Sequence, residues 1–206
     1  MLAFFVHHVR RSIMKHIHLF LLLMLVTVVS GACDVLEQAS ASSNTPSPAQ
    51  AIAQESAPAI ADLPAWMNTA LIDGRTGESF TFAQFVNNGT PVYVEPFATW
   101  CSNCRRQLGN INAAAQQLGE RVVFVVVSIE TNLTAEDMKE YADRNNFDLI
   151  FAVATPELLS AWVNTFGRTV TNPPSTPFFI IRTDGTTSPL GTGSKSVEDV
   201  IKSLQS

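Results

Sequence analysis

The chain has 206 residues, enough for one ordinary domain with accessory segments but not comfortably two. Hydrophobic residues make up 46% and charged residues 15%, a balance that excludes wholesale disorder. The formal charge is −5, and no basic run marks a surface for nucleic acid or for anionic lipid heads.

The first element in chain order is an address. Residues 19–29 (LFLLLMLVTVV) follow Lys15 and end before the small residues Ser30, Gly31 and Ala32. A charged start, a short apolar run and a small-residue site read as a secretory signal over residues 1–32. The run is too short for a spanning helix, which needs about twenty apolar residues. Met14 opens a complete signal by itself, so translation is expected to begin there. Residues 29–33 (VSGAC) resemble the bacterial lipobox, with Ser30 where a larger aliphatic residue is usual. That resemblance implies lipidation of Cys33 and an anchor in the bacterial cell membrane, facing away from the cytoplasm. If the lipobox is not used, the protein is secreted. Either way His7, His8, His16 and His18 leave with the signal. The mature chain then holds no histidine, which excludes Ser-His and Cys-His catalysis and any His-ligated metal. It also holds ten basic against eighteen acidic residues, a net charge of −8.

Residues 33–61 are rich in Ala, Ser, Pro and Gln. Such a segment has little to bury and reads as a flexible tether. The folded domain is expected over residues 62–206. Residues 71–82 alternate around Asp73-Gly74 and Thr76-Gly77 and predict a β-hairpin. Residues 91–95 predict a short strand. Residues 101–118 show helical spacing, with Leu108, Ile111, Ala115 and Leu118 on one side and Gly119 as the stop. Residues 122–129 (VVFVVVSI) predict a strand buried on both faces. Residues 134–146 predict a helix with Met138, Tyr141 and Ala142 turned inward. A strand at 149–153, a helix at 156–166 opened by Pro156, and a strand at 177–181 follow. The turn at residues 183–185 leads to a last strand near 187–190, and a helix at 196–204 closes the chain. Alternating strands and helices predict an α/β sandwich around a mixed central sheet, with flanking helices and an N-terminal hairpin.

The chemistry lies in residues 100–104 (WCSNC). With Cys33 acylated, Cys101 and Cys104 are the remaining thiols. A tetrahedral zinc site lacks further soft ligands, so no metal is expected. A purely structural bridge across four residues stabilises little. A redox pair is the better reading. A motif between strand and helix puts Cys101 at a helix N-terminus, where unpaired N–H groups and the macrodipole favour a thiolate. Cys104 sits one turn inside, suited to resolve a mixed disulfide. Arg105 and Arg106 add positive charge or serve as solvated helix residues.

Residues 91–107 (PVYVEPFATWCSNCRRQ) resemble the active-site segment of the thioredoxin superfamily, a strand followed by F-x-x-W-C-x-x-C. The likeness is greatest to the membrane-anchored TlpA/ResA-like branch, in the redoxin group, and runs over residues 62–206. It implies a thioredoxin-like sandwich with an inserted strand–helix element. It implies a protein disulfide oxidoreductase that needs no cofactor. Glu95, six residues before Cys101, matches a buried acid that moves protons to and from the resolving cysteine. Trp100 and Thr176-Pro177 match substrate-binding positions, the latter a cis-proline loop facing the cysteines. Glu130 matches a second acid. The implied partners are disulfide-containing clients, such as those of cytochrome c maturation, and a membrane thiol carrier as reductant. A monomer is expected. Ser102-Asn103 lacks the proline common in the family, and Gly109 replaces a kinking proline. Gln107 stands where an acid is frequent.

Two other functions compete. A peroxiredoxin wants Thr three residues and Pro seven residues before its cysteine, but Thr99 and Pro96 lie two and five before. A non-catalytic binding lipoprotein on the same scaffold would have no need of the combined Glu95, Cys101, Cys104 and Thr176-Pro177 set.

Overall fold

The structure is a computed structural model that describes residues 62–205. The signal, Cys33, the tether and the histidines lie outside the described residues. Among the described residues no helix is long and apolar enough to cross a membrane.

A two-stranded hairpin comes first, β1 (Leu71–Ile72) and β2 (Ser79–Phe80), antiparallel. The main sheet holds β3 (Val92–Phe97), β4 (Val123–Ser128), β5 (Ile150–Val153) and β6 (Phe179–Ile181). Their order is β5-β4-β3-β6. β3, β4 and β5 run parallel, and β6 pairs antiparallel with β3. This is the mixed sheet expected. Parallel strands need cover on both faces, which explains the unbroken apolar run of β4. Phe124 and Val126 enter one core, Val125 and Val127 the other.

Five helices supply the cover: α1 (Phe82–Asn87), α2 (Ser102–Leu118), α3 (Ala135–Asn145), α4 (Pro156–Phe166) and α5 (Val197–Ser203). Apolar residues of α2, α3 and α5 pack in one core. The other core holds α1, α4 and Trp66, which meets Phe82, Trp162 and Phe179 edge-on. Each helix starts the same way. The side chains of Thr81, Cys101, Thr134, Thr155 and Ser196 each accept a hydrogen bond from the N–H three residues on. Four are hydroxyls, the usual N-caps. At α2 a sulfur takes that place. Gly119 ends α2 with φ +57, and Asn146 ends α3 in the left-handed region.

Two expected elements differ. The hairpin stops at Phe80, and Phe82 belongs to α1. Thr81 and Gln84 form a reciprocal capping box that turns the chain into a helix. Residues 187–190 do not form a strand. They contribute a single bridge, Ile181 to Thr187, and a second bridge joins Phe178 to Gly191. The Ile180 N–H donates to the Ser188 hydroxyl at 3.0 Å instead of to backbone, and Pro189 has no N–H to offer. The hairpin turn docks on the β5 side: the Gly74 N–H donates to Phe151 O at 2.7 Å. A Cβ at Gly74 would lie 2.6 Å from Ala135 O and from Met138 Cβ, so only glycine fits.

Candidate active site

Strand β3 and helix α2 build the site. Alternation along β3 puts Tyr93, Glu95 and Phe97 on the face toward α2. Pro96 lies inside the strand without breaking register, pairing with Val127 between Glu95–Val126 and Phe97–Ser128. Cys101 and Cys104 are joined as a disulfide, with Cα atoms 5.3 Å apart. Cys101 Sγ accepts the Cys104 N–H at 3.1 Å, so the sulfur sits at the positive end of α2. That N–H and the helix field stabilise negative charge on Cys101 once the bond is open. Cys104 is fully buried, with Sγ 3.1 Å from Pro173 O. In the reduced protein its S–H has that carbonyl to donate to.

Glu95 is 0% exposed, and neither carboxylate oxygen has a hydrogen-bond partner among the described residues. Burial pushes its pKa well above the ordinary carboxylate value. The Tyr93 hydroxyl and the Lys195 charge pull the other way and are outweighed. Tyr93 is likewise raised well above an ordinary phenol, by burial first and by Glu95 second. The Gln107 side chain offsets part of that shift, which puts it beside Tyr93 one turn beyond Cys104. Tyr93, Glu95 and Gln107 thus form a buried polar cluster under the first turns of α2. A neutral carboxylic acid there is able to exchange a proton with a nearby buried group.

Glu130 follows β4. Its Oε2 accepts the Thr99 N–H at 2.6 Å and the Thr99 hydroxyl at 2.9 Å. It therefore pins the segment two residues before Cys101. Trp100 is 64% exposed beside the disulfide, an apolar platform open to a partner.

Residues 168–171 and 173–175 form two short 3-10 turns, the second of which faces the cysteines. Asn103 Nδ2 donates to Pro174 O at 3.4 Å. Thr176 follows this turn and lines a surface cleft with Asn103 and Pro174, and the Thr176-Pro177 bond, expected to be cis, is trans, as are all peptide bonds among the described residues. Thr176 reverses the chain through its own backbone, at φ 45 and ψ 62. The Pro173 carbonyl lies 3.1 Å from the buried Cys104 sulfur.

Tyr93, Gln107, Pro173 and Lys195 were not named as site residues from sequence. Strand alternation from Glu95 points to Tyr93, and helical spacing from Cys104 points to Gln107. No local pattern announces Lys195. It arrives because Gln107 Oε1 accepts the Lys195 N–H at 2.7 Å and Asn110 Nδ2 donates to Lys195 O at 2.7 Å.

A mixed sheet with helices on both faces and a disulfide capping the helix after the central strand define a thioredoxin-fold protein. Comparison with known proteins agrees. Residues 75–142 match the thioredoxin family model. The thiol:disulfide interchange protein of the thioredoxin family from Chlorobium tepidum superposes with TM-score 0.52 and 22% identity, over 66% of this chain and 90% of that one. A secreted disulfide oxidoreductase from Mycobacterium tuberculosis gives 0.52 and 16%, over 68% and 96%. An exposed lipoprotein thioredoxin from Streptococcus pneumoniae gives 0.53 and 19%, over 66% and 97%. Among curated proteins, the chloroplastic thioredoxin-like protein HCF164 of Arabidopsis thaliana is 26% identical over 66 residues, 32% of this chain. The match spans 25% of that relative's length. Residues 75–142 are thus similar to the thioredoxin family, and the solved neighbours share the thioredoxin-like fold.

Proposed function

We propose that the protein is an extracytoplasmic thiol–disulfide oxidoreductase that reduces disulfides in client proteins. The observation that carries it is the paired environment of the two sulfurs. Cys101 caps a helix beside an exposed Trp100, whereas Cys104 is fully buried behind it.

The cycle starts from the dithiol. The Cys101 thiolate attacks one sulfur of the client disulfide; that S–S bond breaks and the other client sulfur leaves as a thiolate that takes up a proton. Cys104 then loses its proton and attacks Cys101 Sγ. The mixed disulfide breaks, the second client thiol is released, and the Cys101–Cys104 bond forms. Two electrons have passed to the client. Glu95, in its carboxylate form, accepts the Cys104 proton and becomes the neutral acid that burial favours. A thiol carrier in the membrane returns the electrons. The apolar run and VSGAC support export and anchorage through Cys33, and a secreted and an exposed relative share the fold.

The test is the reduction potential of the Cys101–Cys104 pair in the full chain, held in non-ionic detergent and equilibrated against thiol buffers. A value near or below that of thioredoxin, about −270 mV, fits a reductant. A value towards about −120 mV reverses the direction and makes the protein an oxidant of clients.

A further inference from the structure

A cleft of about 400 Å³ opens beside Cys101. Its lining includes Trp100, Cys101, Arg105, Tyr141 and Arg144. No Asp or Glu lines it, in a mature chain whose acids outnumber its bases eighteen to ten. The cleft opens at the N-terminal end of α2, where backbone N–H groups point outward. Arg105 makes no ion pair among the described residues. Arg144 pairs with Glu140 at 2.9 Å, but both side chains are more than half exposed, so the pair is weak and readily exchanged. Tyr141 is 3% exposed, lines the cleft, and its hydroxyl has no hydrogen-bond partner among the described residues. The hydroxyl feels the charges of Arg105, Arg144 and Glu130. Of these, Glu130 keeps its charge but is not in the cleft lining, its carboxylate being held on Thr99 by the Thr99 N–H and hydroxyl.

We infer that this cleft is a carboxylate subsite, which receives an acidic side chain of a client polypeptide beside its disulfide cysteine. Two guanidinium groups and an unmet phenol supply donors for one carboxylate. Trp100, on the same rim, offers a flat apolar surface for the client backbone next to the reacting sulfur. A cleft of this size holds a side chain and its backbone rather than a lone ion. The inference rests on the disulfide-exchange reading and adds a preference among clients to it. The chemical step is unchanged.

The experiment uses the full reduced chain in non-ionic detergent and two disulfide-bridged peptides that differ only by Glu or Gln beside the attacked cysteine. The expected result is a kcat/KM about three- to tenfold higher for the Glu peptide at low ionic strength, shrinking toward parity at about 0.5 M salt. Arg105→Gln and Arg144→Gln each lower that ratio, and together they abolish it. Arg121→Gln removes the same charge at the far end of α2, where Arg121 bonds Leu118 O and Gln117 O, and keeps the ratio. The ratio is the readout because a shift in the Cys101 potential moves both peptides alike. Equal rates for the two peptides overturn the subsite and leave the oxidoreductase standing. An equal loss of preference in Arg121→Gln overturns it in favour of a general field effect. Preference confined to glutathione disulfide over its ester overturns the polypeptide occupant. Exchange with neither peptide overturns the oxidoreductase reading, and the subsite with it.

Discussion

The two walls around the disulfide are built by different means. The near wall, residues 95–107, is continuous in sequence. Each group in it is set by a local rule: strand alternation for Glu95, an N-cap for Cys101, one helical turn for Cys104. The far wall comes from residues 173–176 and 192–195, about 70 to 90 positions later. A few polar contacts hold it: Asn103 to Pro174, Gln107 to Ser194 and Lys195, Asn110 to Lys195, and Gly193 to Ser175. Chemistry is thus encoded next to the cysteines, while access to them is encoded at a distance. Variants in the near wall should change what happens at sulfur. Variants in the far wall should change what reaches it.

The largest effect is expected from the cysteines, and it should be asymmetric. Cys101→Ser abolishes turnover and captures no client. Cys104→Ser also stops turnover but accumulates a mixed disulfide, visible as a higher-mass band without reductant. Equal trapping by both variants would overturn the roles assigned to the helix-capping Cys101 and the fully buried Cys104.

Next is Glu95→Gln. Resolution of the mixed disulfide should slow by roughly 10²-fold, read by stopped-flow release of client thiol. Stability should respond as well. Burial raises the pKa of Glu95 in the folded chain above its ordinary 4.5. Its contribution is therefore fully present below the ordinary value and is lost as pH rises through the raised one. Over that window the wild-type protein should lose about 1.4 kcal/mol per pH unit relative to Glu95→Gln. Denaturant titrations of both proteins at several pH values would measure the difference. Parallel curves would mean that Glu95 is not held neutral.

The near wall was legible because its signals are short-range. A strand, an acid, a W-C-x-x-C and an apolar helical face all lie within about twenty residues, and the fold class followed from alternating periods. The misses have physical causes. The helix at residues 82–87 was hidden behind a hairpin pattern, although T-F-A-Q carries the capping-box signature. The strand expected at 187–190 failed because Ser188 answers the Ile180 N–H with its side chain, a substitution that alternation of apolar residues does not reveal. Lys195 and the Pro173 carbonyl join the site only through tertiary hydrogen bonds. Thr176 takes the left-handed backbone before a trans Pro177, and residue identity at that position gives no hint of either.

The far wall is weakened most directly at Gln107→Ala. The change removes the shared acceptor of the Lys195 N–H and Ser194 hydroxyl and leaves a buried gap. The expected cost is about 1–3 kcal/mol in denaturant unfolding. Hydrogen exchange at the Lys195 amide should accelerate while protection inside α2 persists. If α2 loosens equally, the two walls are one cooperative unit and the contrast drawn between them fails.

The smallest effect is expected at Glu130, and it separates two roles. The resemblance made Glu130 a second acid of the reaction, whereas the geometry makes it a clamp on Thr99. Glu130→Gln keeps an acceptor for the Thr99 N–H and removes only the charge that strengthens that bond. A clamp so modified should cost about 1 kcal/mol or less and change kcat/KM by no more than about threefold. Glu130→Ala, which removes the acceptor altogether, should be clearly worse than Glu130→Gln in both measures. An acid in the reaction would give the other pattern: Gln and Ala equally damaging, by roughly 10²-fold, with one limb of the pH–rate profile lost. Rescue by glutamine therefore assigns Glu130 to holding the loop before Cys101, and failure of rescue assigns it to proton transfer.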